Sequence, residues 1–338
     1  MKHCDSIISS EPVAPDDDAP DPQVDFESRE LQIAQAHHGL RLDHALVDLV
    51  PEFSRSYIQQ LIEGGAVTLD GVPWRKPSGR VKAGHYGSIE LRPTLQSQAF
   101  KPEAMPLALV FSDAHLMVIN KPAGLVVHPA PGNWSGTLLN GLLAHDPAAA
   151  SLPRAGIVHR LDKDTSGLMV VARTRLVMDA LVLAIAARTV NRQYLGLVQR
   201  PWAGPHIRDV EAPIGRDPRN RLRMAVVDLA RNAGKTAKTT LCMVDTADGG
   251  ALVRCTLHTG RTHQIRVHMA SIGYPLVADQ LYGGASDAHL HRQALHACRL
   301  GFTHPATGAD LVFHAPLPGD MRCALLARGL RYNETQTL

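Results

Sequence analysis

GIVHRLDKDTSGLMVV, residues 156–171, sets a carboxylate, Asp162, among cations and then runs into apolar residues. Asp162 follows Arg160 by two residues and precedes Lys163 by one; Asp164, Thr165, Ser166 and Gly167 come next. Leu168 to Ala172 reads as a buried strand. The motif is therefore a polar loop anchored by a rigid element. Asp, Thr and Ser in loops ordinarily bond their own backbone, so an isolated Asp here reads first as a turn residue. Two neighbours argue for more. Arg160 can reach a phosphate or a base. The stretch TLHTGRTHQIRVHMA, residues 256–270, supplies Arg261 and Arg266. It predicts a helix over 261–272, with Arg266 one turn after His263 and flanked by the core-facing Ile265 and Met269. An arginine directed into a core needs an anion. A carboxylate paired with a guanidinium stays ionised, as a nucleophile must be and a general acid must not.

Outward from this motif, short apolar segments and turn signals alternate. LALVFSDAHLMVINKP, residues 107–122, predicts a hairpin around Ser112-Asp113. Ser135 is the expected cap of a helix carrying Leu138, Leu139, Leu142 and Leu143, closed by Asp146-Pro147. Thr174 is expected to cap a helix to about Ala187, and strands are expected at 192–198 and 252–257. Helices loosely alternating with hairpins predict an α+β domain with a mixed, largely antiparallel sheet.

The N-terminal part is separate. Residues 1–38 read as a disordered acidic tail, poor in large apolar side chains. Residues 39–92 predict two short helices, the second capped by Ser54, a hairpin turning at Asp70-Gly71, and a strand near 87–91. Arg41, Arg55, Arg75, Lys76, Arg80 and Lys82 make this unit basic enough to touch phosphates. Residues 93–106, with three prolines, read as a linker. The large domain is expected over 107–330, followed by a tail at 331–338.

Length suits two domains: 338 residues, 45% of them hydrophobic. The longest clean apolar run, Ala180–Ala187, is eight residues, which is too short for a membrane span. There is no apolar signal-peptide core, so a cytoplasmic protein is expected. The five scattered cysteines are never spaced as CxxC and read as reduced thiols. Net charge is +3, but residues 1–30 hold nine acids and two bases, which leaves +10 on the rest. A basic body suits a polyanion.

Several chemistries are excluded. Gly234-Lys235-Thr236 ends like a phosphate loop, but Leu229 stands where its first glycine belongs. HExxH, GxSxG and a strand-following GxGxxG are absent, so metalloprotease, hydrolase-elbow and dinucleotide functions have no support. His258, His263 and His268 recur at a spacing of five, which suits neither a helix face nor a strand face for a metal.

Two resemblances add to this reading. LRLDHALVDLVPEFSRSYIQQLIEGGAVTLDGV, residues 40–72, resembles the small αL-type RNA-binding domain shared by a small-subunit ribosomal protein and several RNA enzymes. HRLDKDTSG, with KPAGLVVHP before it and TGRTHQIRVHM after it, resembles the RluA family of RNA pseudouridine synthases; RQALHACRLGFTHPATG and FHAPLPGDM fit as well. Together they span nearly all of 39–330. The resemblance implies a pseudouridine synthase catalytic domain behind the αL-type domain, and an isomerase that needs neither metal nor nucleotide cofactor. Asp162 stands at the position of the family's catalytic aspartate. Arg160 stands where an arginine enters the RNA stack and helps flip the uridine. Tyr194 stands where a tyrosine stacks on the flipped base and, in one version, takes part in proton removal. Arg266 stands where an arginine pairs with the aspartate. Ser166 replaces a frequent Thr, and Lys235-Thr236-Ala237 replaces a frequent Lys-Pro-Ala.

The partner implied is RNA, in particular 23S large-subunit rRNA or a pre-ribosomal particle at the hairpin bridging the two subunits. Other members act on other rRNA sites or on tRNA. Attack by Asp162 on the base, attack on the sugar and a glycal route all remain open. A monomer with no membrane partner is expected. Two alternatives stand beside this reading. One is an RNA-binding assembly factor without catalysis. The other is a base-releasing glycosidase, which needs a second carboxylate, for which Asp164 is the candidate.

Overall fold

Two compact units divide the chain, 1–94 and 95–338. The computed structural model describes residues 27–92, 99–130 and 132–333.

In the first unit, strand β1 (Ser28–Gln32) precedes helices α1 (Leu42–Leu49) and α2 (Arg55–Glu63), the hairpin β2 (Val67–Leu69)–β3 (Val72–Trp74), and β4 (Tyr86–Glu90). The antiparallel sheet has the order β1-β4-β2-β3. Ser54 accepts from the Tyr57 amide and caps α2. Asp70 and Gly71 both have positive φ, 51° and 74°, the primed turn that matches the twist of a two-residue hairpin. Leu42, Ala45 and Leu46 of α1 and Ile58, Leu61 and Ile62 of α2 share one core with the sheet.

Here the structure departs from the expected disordered tail. β1 pairs along its whole length with β4, and Leu31 and Ile33 are buried. Only two apolar side chains sit among charged neighbours there, so the order comes from the β4 ladder, which composition does not reveal. The rest of the expected tail, 1–26, lies outside the described residues. A second departure concerns charge. Arg41 and Arg55 both bond the buried Asp43 and are not free cations. The cations of the expected set with no carboxylate partner among the described residues are Arg75, Lys76, Lys82 and Arg80, the last donating to the Gly39 carbonyl.

The second unit is built on a nine-stranded sheet. Its elements in chain order are β5 (Leu109–Ser112), β6 (Leu116–Lys121), α3 (Leu138–His145), β7 (Ser166–Ala172), α4 (Arg175–Ala186), β8 (Asn191–Val198) and β9 (Ile207–Glu211). Then come β10 (Ile214–Arg216), β11 (Met224–Val226), β12 (Gly234–Lys235), β13 (Lys238–Ala247), β14 (Gly250–Leu257), α5 (Gln264–Ser271), β15 (Leu295–Thr303), β16 (Asp310–His314) and α6 (Gly319–Ala327). The large sheet runs β5-β6-β7-β15-β8-β14-β13-β9, with β16 also on β15. Every pair in it is antiparallel except β7–β15. β10, β11 and β12 form a separate small sheet.

β15 is the hinge of this topology. One edge pairs with β8; the other pairs with β7 at His296 and Ala297 and then with β16 from Arg299 on. Gly167 makes the β7 contact: its φ is +116°, and a Cβ there would lie 2.3 Å from the Ala297 carbonyl oxygen. Any side chain would push the two strands apart. This is the glycine that ends the Asp162 loop.

Some local expectations shift. Thr137, not Ser135, caps α3, because Asn140 returns a bond to the Thr137 amide and completes a capping box. Residues 93–98 of the expected linker lie outside the described residues, but 99–106 is docked. Ala99 is buried, the Asn140 amide donates to the carbonyls of Ala99 and Lys101, and Met105 packs at Gly141. In the expected C-terminal tail the Arg331 amide donates to Asp245 and Tyr332 packs on a core; 334–338 lie outside the described residues. No helix among the described residues is long and apolar enough to cross a membrane.

Candidate active site

Asp162 lies in the loop that leads into β7, and its carbonyl accepts from the Thr165 amide, so the ordinary turn reading holds locally. Three anchors, two of them buried, fix the loop from outside. The Lys121 ammonium donates to the carbonyls of Pro122, Leu125 and Lys163, tying the end of β6 to the loop. Burial pulls this lysine down to about 8, with Asp164 and Asp162 opposing and Arg292 assisting. Arg292 grips Asp320 with two bonds and donates to the Asp164 carbonyl. Gln293 donates to the Thr165 hydroxyl. The loop backbone is held, and the Asp162 side chain is left to face outward.

That side chain opens on a pocket of about 720 Å³. Arg154, Arg160, Arg188, Arg192, Arg261 and Arg266 line it, and among the described residues Asp162 is its only carboxylate. Asp164 is not among the lining residues, so the paired-carboxylate geometry of a glycosidase is absent there. Tyr194 lines the pocket from β8. Its placement follows from sheet register: Ala297 of β15 partners both Gly167 and Tyr194. The end of the Asp162 loop and Tyr194 are thus two strand spacings apart, about 9.5 Å. Burial raises the Tyr194 phenol to about 12, with Arg192 opposing, so it remains protonated at neutral pH.

Arg266 finds two anions. Its Nε and Nη2 bond Asp279 at 2.8 Å each, and its Nη1 reaches Asp162 Oδ2 at 3.1 Å. The expected pairing with Asp162 is present, but the fork belongs to Asp279. Burial alone would weaken the guanidinium's charge; Asp279 first and Asp162 second more than restore it. Asp279 thus holds the cation, and the cation holds Asp162 by one bond. Asp162 Oδ1 has no hydrogen bond among the described residues.

The expected helix over 261–272 is shorter. α5 begins at Gln264, and His263 precedes it in a left-handed conformation, φ 54°. That twist swings the imidazole off the helix face. His263 Nδ1 lies 2.8 Å from the Tyr282 hydroxyl, which accepts from the Met224 amide, and His263 Nε2 lies 3.9 Å from Asp162 Oδ2. A backbone amide can only donate, so the Tyr282 proton is free for Nδ1. Burial lowers the His263 pKa against the pull of Asp162. With Nδ1 accepting that proton, the neutral ring carries its own on Nε2, toward the carboxylate. The Tyr282 ring also lies under Arg266, 5.0 Å from ring centroid to guanidinium carbon.

The three histidines do not converge. His258 bonds Thr240, His268 bonds Thr239 and the Ala212 carbonyl, and His263 bonds Tyr282. Among the described residues no cluster suited to a metal ion occurs. Arg160 is exposed at the pocket rim. Sequence reasoning missed Asp279, Tyr282, Lys121 and Arg192. The first two share the short stretch ADQLYGG, residues 278–284, whose only signal is an acid after a buried run. The small sheet beyond the pocket adds Arg216, Arg219, Arg221 and Lys235, exposed and without carboxylate partners among the described residues.

Comparison with known proteins agrees with this geometry. Residues 115–271 match the model of the RNA pseudouridylate synthase family, and residues 40–85 match the S4 domain. The chain is 46% identical over 328 residues to the ribosomal large subunit pseudouridine synthase D of Nitrosomonas europaea, covering 93% of this chain and 91% of that one. It is 45% identical over 313 residues to the protein of the same name from Xylella fastidiosa, covering 89% and 92%. Among solved structures it resembles human RNA pseudouridylate synthase domain containing 1, with a TM-score of 0.51 at 25% identity over 64% of this chain and 86% of that one.

Proposed function

The chain belongs to the RNA pseudouridylate synthase family, and we propose that it isomerises uridine to pseudouridine in 23S large-subunit rRNA with Asp162 as its nucleophile. The observation that carries this reading is the pocket itself: among the described residues, one carboxylate, with one oxygen unbonded, in a wall of six arginines. In the reaction the C1′–N1 bond breaks, the base turns, and a C1′–C5 bond forms; N1 gains a proton and C5 loses one. No electrons or groups are exchanged with a second substrate. An ionised Asp162, steadied by Arg266, can attack base or sugar or assist departure of the base.

The remaining residues take roles by position. The base must leave its stack, at a cost of a few kcal/mol. Arg160, exposed at the rim, would fill the vacancy, and Tyr194 would lie against the flipped base. The S4 domain and the cations of the β10–β12 sheet would hold backbone phosphate. The bridging hairpin is our expected target, and the work would take place in the cytoplasm, by a monomer.

The test is tritium release from large-subunit rRNA labelled at uracil C5, without added cofactor. Wild type should release tritium, and Asp162→Asn should lose on the order of 10³-fold or more while still binding RNA. Equal release by both would end the nucleophile assignment. Binding without release by either would favour an RNA-binding factor.

A further inference from the structure

Arg192 lies on β8 two residues before Tyr194, so the two side chains leave the same face of the strand. It is 6% exposed, its Nε is buried without a hydrogen-bond partner, and among the described residues no carboxylate pairs with it. Among the described residues the other buried arginine of this unit, Arg266, is engaged by Asp279 and Asp162, and the half-buried Arg292 by Asp320. Arg192 instead lines the pocket that holds Asp162. Gly260 closes over it: a Cβ at that position would lie 3.1 Å from Nη1. The guanidinium is therefore packed against bare backbone on one side and open to the pocket on the other. Its field reaches the neighbouring groups. Burial drives His159 down to about 3, and Arg192 adds to that shift.

A cation removed from water without a partner is strongly destabilising, and something must offset it. We propose that Arg192 is the binding site for a backbone phosphate of the RNA strand that presents uridine to Asp162. This rests on the isomerase reading of the pocket. A guanidinium fork matches a phosphate with two parallel bonds and is less strongly hydrated than an ammonium. A neutral uracil carbonyl would leave the charge uncompensated. Two residues of strand separate Arg192 from Tyr194, about 7 Å, a span one nucleotide covers from base to phosphate. A base against Tyr194 thus brings its own phosphate within reach of Arg192.

The test uses the full chain and its Arg192→Met and Arg192→Lys variants. Melting of the free protein is measured first, then binding to a large-subunit rRNA fragment between about 50 and 200 mM salt. Removing an unpaired buried charge should leave Tm unchanged or higher in Arg192→Met. RNA binding should weaken, and the slope of log K against log salt should fall in magnitude by about 0.7 to 0.9, one phosphate contact. Arg192→Lys should keep the slope. Should Arg192→Met not fold, Arg192→Gln repeats the measurement with a neutral polar head. A lower Tm with an unchanged slope overturns the proposal in favour of a structural cation. Weaker binding with an unchanged slope overturns it in favour of a contact to the base. Tritium release by wild type is read in parallel. Its absence beside a reduced slope would sink the isomerase reading and leave the phosphate site standing.

Discussion

Asp43 in the first unit and Asp162 in the second are both carboxylates set against arginines, and they end in opposite conditions. Asp43 is fully buried and accepts five side-chain bonds, from Arg41, Arg55 and Gln59. Burial would raise its pKa, but these donors outweigh burial and hold it well below the usual carboxylate range. Asp162 keeps 17% of its side chain exposed and accepts one bond, from Arg266. The saturated carboxylate is a structural knot between α1 and α2. The unsaturated one has lone pairs to spare and a pocket to use them in. Pairing with arginine says little about role; what decides is how many acceptor sites the partners leave unfilled.

The comparison can be broken from either side. The largest effect is expected at Asp43's partners. Arg41→Met together with Arg55→Met strands a buried carboxylate and should cost the first unit about 3–5 kcal/mol, read by denaturant unfolding. The pH dependence should reverse as well. In wild type, Asp43 contributes stability above its unfolded pKa near 4, which is lost as pH falls toward its depressed folded value. In the double variant the buried carboxylate has a raised pKa, so acidification should restore stability. A double variant that melts like wild type at neutral pH would mean that Asp43 is not the knot described.

Asp279→Asn should sharpen the other side. It removes the charge that grips the Arg266 fork and leaves Arg266 free to turn onto Asp162. Misplacing the pair by about 1 Å should lower kcat by about 10²-fold with KM for RNA little changed. A change in KM alone would assign Asp279 to RNA binding instead.

The smallest effect is expected at Tyr282→Phe. Without the hydroxyl, His263 Nδ1 loses its donor and the ring can place its proton on either nitrogen. We expect roughly a tenfold loss in kcat, absent when His263 is already Gln. An equal loss in both backgrounds would place the effect in the Met224 contact rather than in the imidazole.

Much of this was legible in the sequence. α2 and its Ser54 cap, the Asp70-Gly71 turn, the β5–β6 hairpin, β7, α4 and β8 all follow from periodicity and capping chemistry, which act within a few residues. So did the convergence of Asp162 with Arg266, because an arginine flanked by core residues must find an anion. What failed was non-local. β1 is ordered by its neighbour β4 rather than by its own composition. β9 to β13, β15, β16 and α6 carried too little local pattern to be read. α5 starts three residues later than expected, with His263 left-handed before it and its ring held by Tyr282, nineteen residues on.

The sequence by itself determined the chemistry available: Asp162 and Asp164 in a glycine-ended loop, arginines in excess, and the motifs of an RNA isomerase. Only the tertiary structure decided how that chemistry is distributed. Asp279 rather than Asp162 takes the fork of Arg266, Arg41 and Arg55 are neutralised at Asp43, and Arg192 is buried with no carboxylate partner among the described residues and its Nε unbonded. The reason is physical. A charge's partner is chosen by distance through folded space, and sheet register, here β7 beside β15 beside β8, sets those distances across more than a hundred residues of chain.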